Sequence, residues 1–434
     1  MFYFTNNLIT HMQHIVYLFF IVLFFFSQTI IAQTTTPEIY SWKRNATGVV
    51  GYNNIPADVQ HVHYTSEYVY ISSTNIPLYN IGPWPGNPNS ATNQNFVFRI
   101  TRTPTENTGT KTITPLGHIG VLSNGVTIFN ARDAMSYQNQ NVWHQNAVVV
   151  EAPSFDTCLG HPQQQGEYHH HQNPQCLYTP NPNEHSPIVG YSFDGFPIYG
   201  TYAFANTNGT GEMTRMKTSY RKRNITQRTT LPNGTILPPN LYGPNVSVQY
   251  PLGYYIEDYE FVNGLGNLDN SNGRFCVTPD YPNGTYAYFS TMDSLGNSEY
   301  PYLVGPQYYG IVTTGNTGPN SGHNIIPASA IEYTGTTGVV ESNSNQNGFL
   351  LSQNFPNPFN PKTTISFLLV DDGFVSLKIY DILGREIKTL INNEEMESGD
   401  YEIDFDANNL NSGIYFYKLS TNNFSEIKKM ILVK

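Results

Sequence analysis

The stretch IVGYSFDGFPIYG, Ile188–Gly200, decides the fold class. Its apolar and aromatic residues fall into two short runs with Asp194-Gly195 between them, which reads as strand, turn, strand. Comparable runs of β-branched and aromatic residues lie on either side, at Tyr68–Ser72, Phe96–Ile100, Val126–Phe129, Val148–Val150 and Thr285–Thr291. No clear amphipathic helix interrupts them between Ile39 and Tyr309. This region therefore reads as one mainly β domain with long loops.

Composition points the same way. Of 434 residues, 14% are aromatic and only 12% charged, with 35 Gly and 29 Pro, which suits strands joined by tight turns. A helical bundle would lean on Ala, Glu, Lys and Leu, and a disordered chain would lack the aromatics. The formal charge of −11 argues against nucleic acid as a partner, because no phosphate-neutralising surface is implied. The stretch Arg215–Arg228 is a local exception, with Arg215, Lys217, Arg221, Lys222, Arg223 and Arg228. It reads as a solvated strand pair, with an anion site as the alternative.

The two ends of the chain carry addresses. Ile15–Phe26 (IVYLFFIVLFFF) has the length of a signal-peptide apolar region and is short for a membrane span. Cleavage after Ala32 would define residues 1–32 as signal peptide and leave Gln33 first. No Lys or Arg precedes the apolar run, and a start at Met12 would shorten that region. No Cys lies near the cleavage point, which disfavours a lipid anchor, and no second apolar stretch is long enough to span a bilayer. The secreted domain then covers 33–334, and a Gly-, Asn-, Ser- and Thr-rich linker covers 335–347. Beyond it, at 348–434, alternation appears in Val375, Leu377 and Ile379 and again in Tyr401, Ile403 and Phe405. A small Ig-like antiparallel sandwich of about seven strands fits this spacing.

Within that last region, QNFPNPFNP (Gln353–Pro361), KIYDILGREI (Lys378–Ile387), SGIYFYKL (Ser412–Leu419) and the terminal KKMILVK occur in order. Together they resemble the type A sorting domain of type IX secretion. The resemblance implies export across a Gram-negative outer membrane, with the type IX machinery as partner. It also implies an extracellular or cell-surface destination by way of the periplasm.

Three cysteines occur, Cys158, Cys176 and Cys276. In an exported chain the favoured disulfide is Cys158–Cys176, with Cys276 left over, although Cys276 could partner either one. The same region holds the densest chemistry, DTCLGHPQQQGEYHHH at Asp156–His171. On a strand, His169 and His171 share a face while His170 points the other way. Such an H-x-H pair can place two imidazole nitrogens near one divalent ion, and His161 can approach as a third ligand. Asp156, His118 and His185 are further metal candidates, and zinc or copper suits imidazole ligands best. The plainer alternative is a polar loop, or histidines bonding backbone carbonyls.

These residues carry a second resemblance. GHIGVLSNGVTIFN (Gly117–Asn130), FDTCLGHP (Phe155–Pro162), GEYHHH (Gly166–His171), HSPIVGYSFDGFPIYG (His185–Gly200), MKTSYRKR (Met216–Arg223) and GLGNLDNSNGRFCVTPDYPNGTYAYF (Gly264–Phe289) resemble the YHYH domain family over about 45–310. One position departs, since His170 stands where the family signature has tyrosine. The family implies an exported fold unit without an assigned reaction.

Candidate catalytic acids are Asp156 and Asp194, managing protons in a metal-dependent hydrolase. Tyr199 is expected to face the histidines' cavity. Glu257, Asp258, Asp269 and Asp280 accompany Arg274, but the Asp-rich pieces read first as turns. A third possibility is a module for surface glycans or small molecules, with Trp84 and Trp143 as stacking platforms. No G-x-S-x-G elbow, H-E-x-x-H helix, phosphate-binding glycine loop or EF-hand loop is present.

Overall fold

The computed structural model describes residues 36–318, 321–334, 349–351, 354, 356–369, 372–421 and 425–434. The expected signal peptide at 1–32 and linker at 335–347 lie outside these residues. Among them no helix is long and apolar enough to cross a membrane. The chain divides into two compact units, Met1–Thr337 and Gly338–Lys434.

The first unit opens with an antiparallel sheet of β1 (Val59–Tyr64), β2 (Tyr68–Ser73) and β3 (Phe96–Thr101). Next come β4 (His118–Leu122) and β5 (Thr127–Phe129), then a ribbon of β6 (Arg132–Ser136) and β7 (His144–Asn146). β8 (Gly160–Pro162) and β9 (Tyr168–His170) precede the hairpin of β10 (Ile188–Ser192) and β11 (Pro197–Tyr199). Four short strands form two further ribbons, β12 (Tyr202–Phe204) with β13 (Met213–Arg215) and β14 (Tyr220–Lys222) with β15 (Tyr259–Phe261). β16 (Gly273–Cys276) and β17 (Thr285–Phe289) complete the unit's central sheet, ordered β16-β17-β11-β10-β4-β5-β9-β8. Strands β4, β10 and β17 are buried along their whole length, and two apolar clusters are built around this sheet. Such strands read as continuous apolar runs because both faces are covered.

One expected strand is corrected. Val148–Val150 belongs to a single helical turn, Ala147–Val150, closed by the Glu151 N–H on the Ala147 carbonyl at 2.9 Å. Only Ala147 of the turn is buried, so these valines have no sheet face to pack on, and packing is what β propensity measures. Pro153, three residues after Val150, leaves the chain no N–H for a ladder there.

The central sheet is an internal duplication. The β4–β5 and β10–β11 hairpins share the spacing Gly120/Gly190, Asn124/Asp194, Gly125/Gly195 and Ile128/Ile198. Their registers agree, Gly120 facing Ile128 and Gly190 facing Ile198, and each strand pair is irregular at the same point. The hairpins meet back to back, and reciprocal bonds join Ser123 N–H to Val189 O and Phe193 N–H to Ile119 O. Each then takes a parallel strand, β5 pairing with β9 and β11 with β17, and each of those takes an antiparallel neighbour.

The loops repeat as well. Asp156 Oδ1 accepts the N–H groups of Cys158 and Gly160, and Asp269 Oδ1 accepts those of Ser271 and Gly273. Tyr168 donates its hydroxyl to Asp156 at 3.0 Å, and Tyr286 donates to Asp269 at 2.9 Å. Leu159 and Asn272, just before the two glycines, both take left-handed backbone (φ 65° and 70°).

The second unit has two antiparallel sheets. One joins Phe349–Leu351, Lys362–Leu369 and Gly399–Asp406, and the other joins Gly373–Asp381, Glu386–Met396, Gly413–Ser420 and Ser425–Leu432. Val375, Leu377 and Ile379 are fully buried in a core they share with Ile365 and Phe405 of the other sheet. The alternation seen in sequence is the inward face of that strand.

A Cβ on Gly160 would run into the Tyr168 phenol, and one on Gly273 into the Tyr286 phenol. Gly160→Ala and Gly273→Ala should each destabilise the first unit by about 1–3 kcal/mol, as overpacked sites do. Urea unfolding of the two variants checks this, and the duplication requires losses of similar size.

Candidate metal centre

Asp156 fixes the start of the site. Besides its two backbone bonds, its carboxylate accepts Gly82 N–H at 2.9 Å and Trp84 Nε1–H at 3.0 Å. The chain then runs through β8 and back along β9, with His161 directly opposite His169. Cross-strand partners project to the same face, and His171, two residues beyond His169, joins them. His170 points away, as alternation requires, and meets the Tyr79 hydroxyl at 3.0 Å and the Leu159 carbonyl at 3.1 Å. Glu151 comes from the end of the helical turn.

Four donor atoms converge. His169 Nε2 lies 3.0 Å from His161 Nε2 and 3.1 Å from His171 Nε2. Glu151 Oε2 lies 3.2 Å from His161 Nε2 and 3.0 Å from His171 Nε2. All four fall within 4.8 Å of one another. Ligands at about 2.0–2.1 Å from a tetrahedral zinc stand about 3.3 Å apart, so the spacing fits a single ion.

The outer nitrogens fix the tautomers. His169 Nδ1 donates to the Glu167 carbonyl at 3.0 Å, and His171 Nδ1 donates to the Asn130 carbonyl at 2.7 Å. Ser154 gives its one hydroxyl proton to the Glu151 carbonyl, so its oxygen accepts from His161 Nδ1 at 2.7 Å. Neutral imidazoles so arranged turn three Nε2 lone pairs on one another and on a carboxylate. Acceptors do not satisfy acceptors, and Glu151 Oε2 is buried without a hydrogen-bond donor. Either protons or one cation must sit among them. Burial, with His161 and His171 beside it, pushes the His169 imidazole well below its usual range, which keeps it a neutral ligand. Burial would raise Glu151, but where His161 and His171 carry the protons, bonds and charge from them hold its carboxyl well below the usual range.

The cluster is reached from outside. It lies in the wall of a cleft of about 440 Å³ whose other walls include Phe129, Arg132, Asp133 and Gln163. The Phe129 ring stacks on His169 with centroids 3.8 Å apart. Burial, then the charge of Glu151, push the Asp133 carboxyl above its ordinary range.

The remaining candidates lie elsewhere. His118 spends both ring nitrogens, on Glu167 at 3.0 Å and Ser321 at 2.7 Å, among four phenylalanines. His185 bonds the Ser186 carbonyl and packs on Tyr199 and Phe204. Asp194 is fully buried, accepting the Tyr288 hydroxyl at 2.6 Å and Gly310 N–H at 2.8 Å. Tyr199 does not face the histidines, because its hydroxyl is held by Thr278 and Asp280 on the other side of the duplication. Trp84 and Trp143 are buried, their indole N–H groups given to Asp156 and to the Leu241 carbonyl, so neither offers an exposed stacking face. Glu257 pairs with His144 at 2.6 Å, and Asp258 with Arg228. Glu151 and Asp133 were missed from sequence, since no spacing ties either to the histidines. The only signal for Glu151 is an acid closing an apolar run.

The second half of the duplication is an internal control. By register Arg274 stands where His161 stands, Ala287 where His169 stands, and Phe289 where His171 stands. The fold unit forms without a single histidine in those places, so the cluster is not a requirement of the fold.

Cys158 and Cys176 are bonded with Cα atoms 5.2 Å apart, while Cys276 is free and buried. The bridge closes a loop that contains all three histidines. Replacing both cysteines by alanine should lower the unfolding free energy by about 3 kcal/mol, measured by urea titration.

A family model described as YHYH protein matches residues 97–298, inside the span expected from the motifs. A second, described as a secretion system C-terminal sorting domain, matches 353–434. No curated protein matches the chain. A sorting domain of this type marks its carrier for type IX export to the cell surface or the extracellular space. The chain thus carries a region that matches the YHYH protein model, followed by one that matches a secretion system C-terminal sorting domain.

Proposed function

We propose that this exported protein holds one divalent transition-metal ion, zinc or copper, through His161, His169, His171 and Glu151, for work on a ligand that enters the adjoining cleft. The observation that carries the reading is the convergence of four lone-pair donors, three of them imidazoles whose outer nitrogens are all committed to other acceptors. Those outer bonds set ring orientation and basicity, as around known histidine-bound metals. Imidazole ligands favour zinc or copper over calcium or magnesium. Four protein ligands complete a tetrahedral shell, as in a structural site, so a working site requires the ion to take a further ligand from the side of the open cleft.

Asp133 gives a metal-dependent hydrolase the strongest claim as the reaction class. A bound ion that expanded its coordination to take a water would supply Lewis acidity and a readily ionised nucleophile. Asp133, whose carboxyl keeps its proton to higher pH than usual, lines the same cleft and can deliver or accept that proton. Asp156 and Asp194 are tied up in the scaffold.

Elemental mass spectrometry on the chain, purified without a histidine tag, should find close to one zinc or copper per molecule. His169→Ala/His171→Ala should lose it while keeping its circular dichroism and thermal unfolding. An empty protein that also refuses added zinc and copper overturns the reading. Because the ligands must be deprotonated, affinity should fall as the buffer is taken from about pH 8 to about pH 5. Turnover of a model ester or phosphoester, stopped by a chelator and reduced about 100-fold in Asp133→Asn, would establish the hydrolase. Turnover that survives the chelator would exclude it.

A further inference from the structure

The basic stretch of the sequence has not been absorbed by the metal site, and the structure gives it a place. Arg215 on β13, Lys217 just after it, and Arg221 and Lys222 on β14 line one cleft of about 710 Å³. This volume is within the range of small-ligand sites. Arg223 and Arg228 are turned inward instead. Arg228 is fully buried against Asp258, and Arg223 bonds the carbonyls of Thr230 and Glu257. The stretch is thus split into two structural cations and four that face a cavity.

Charge at this cleft runs against the charge of the chain. Four cations face the single carboxylate of Glu299, in a protein whose formal charge is −11. Arg215 is steadied by Glu299 at 3.6 Å and by the Met292 carbonyl, and Arg221 pairs with Glu260 at 2.8 Å. Among the described residues neither Lys217 nor Lys222 forms an ion pair within 4 Å, and Lys217 acts on Glu299 only through space. A concave surface of one sign concentrates counter-ions and anionic ligands.

The other walls are aromatic. Tyr259 and Tyr300 stack with centroids 4.4 Å apart, and Tyr220 meets Tyr300 edge-on. Rings beside unpaired cations suit a ligand with apolar C–H faces and anionic substituents, which is the chemistry of an acidic sugar. The cleft also borders the metal centre. Val148 and Val149 line it, while Glu151, two residues on, lines the other cleft. A small cavity between them shares Arg132 with the metal cleft and Tyr300 with the basic one.

We propose that this cleft is a binding site for an acidic saccharide, its carboxylate, sulfate or phosphate held by Lys217, Lys222 and Arg215 and its ring seated against the tyrosines. The site does not depend on the metal reading.

Isothermal titration of the full chain with oligogalacturonate, dextran sulfate and glucose 6-phosphate tests it, and the arms tell the three anionic groups apart. At least one should bind, and Lys217→Ala/Lys222→Ala should weaken it at least about tenfold, the equivalent of 1.4 kcal/mol. Metal content should stay unchanged in this variant, which separates the two sites. A neutral maltooligosaccharide should not bind, and polyglutamate should not compete. Failure of all three probes, indifference to the double variant, or equal competition by polyglutamate would each overturn the proposal, the last by reducing the cleft to an unspecific cationic surface.

Discussion

Everything in the first unit hangs from a clasp made twice. An aspartate, buried in the first half and half-buried in the second, bonds two backbone N–H groups of its own loop and the hydroxyl of a tyrosine on the returning strand, across a glycine with no room for a side chain. Each bond to a charged acceptor is worth more than a neutral one, and losing any donor would strand the acceptor in a site from which water is largely excluded. The clasp sets where β8 and β16 begin and how far they slide along β9 and β17. Without it the register that puts His161 opposite His169 has no anchor.

Because the clasp appears twice, scaffold and chemistry can be separated inside one molecule. Both halves keep the aspartate, the glycine and the tyrosine. Only the first half places imidazoles on the face beyond, and the second fills those positions with Arg274, Ala287 and Phe289. The first half also has a disulfide closing the loop that bears the histidines. In the second, Arg274 turns to the carbonyls of Phe204 and Ala205 and the free Cys276 lies buried. On the proposed reading one half carries the site and the other supports it, a division of labour that a symmetric core permits because each half already buries its own strands.

Much of this was legible in the residues. Runs such as Phe96–Ile100 and Thr285–Thr291 are β-branched and aromatic, and strand periodicity is a local property that sequence displays directly. The His169–His171 pair was legible for the same reason. Its partner Glu151 was not, because the approach of the helical turn to β8 is tertiary. The valines before it also suggested a strand that has no sheet to join. Trp84 and Trp143 looked like platforms and are core, since an aromatic residue gives no sign in sequence of which way it points. Arg228 looked solvated with its neighbours, yet lies paired in the interior, where only the distant Asp258 could justify it.

The short turn at Ala147–Val150 has a consequence of its own. Val148 and Val149 line one cavity, and the glutamate that follows the turn lines the other. A ligand that displaces the turn from one side changes the distance at which Glu151 meets the imidazoles on the other. Were ligands bound at both places and the turn moved by either, linkage would make their effect on one another's affinity reciprocal, without either site needing the other to be filled. The turn is short enough to act as a lever between them.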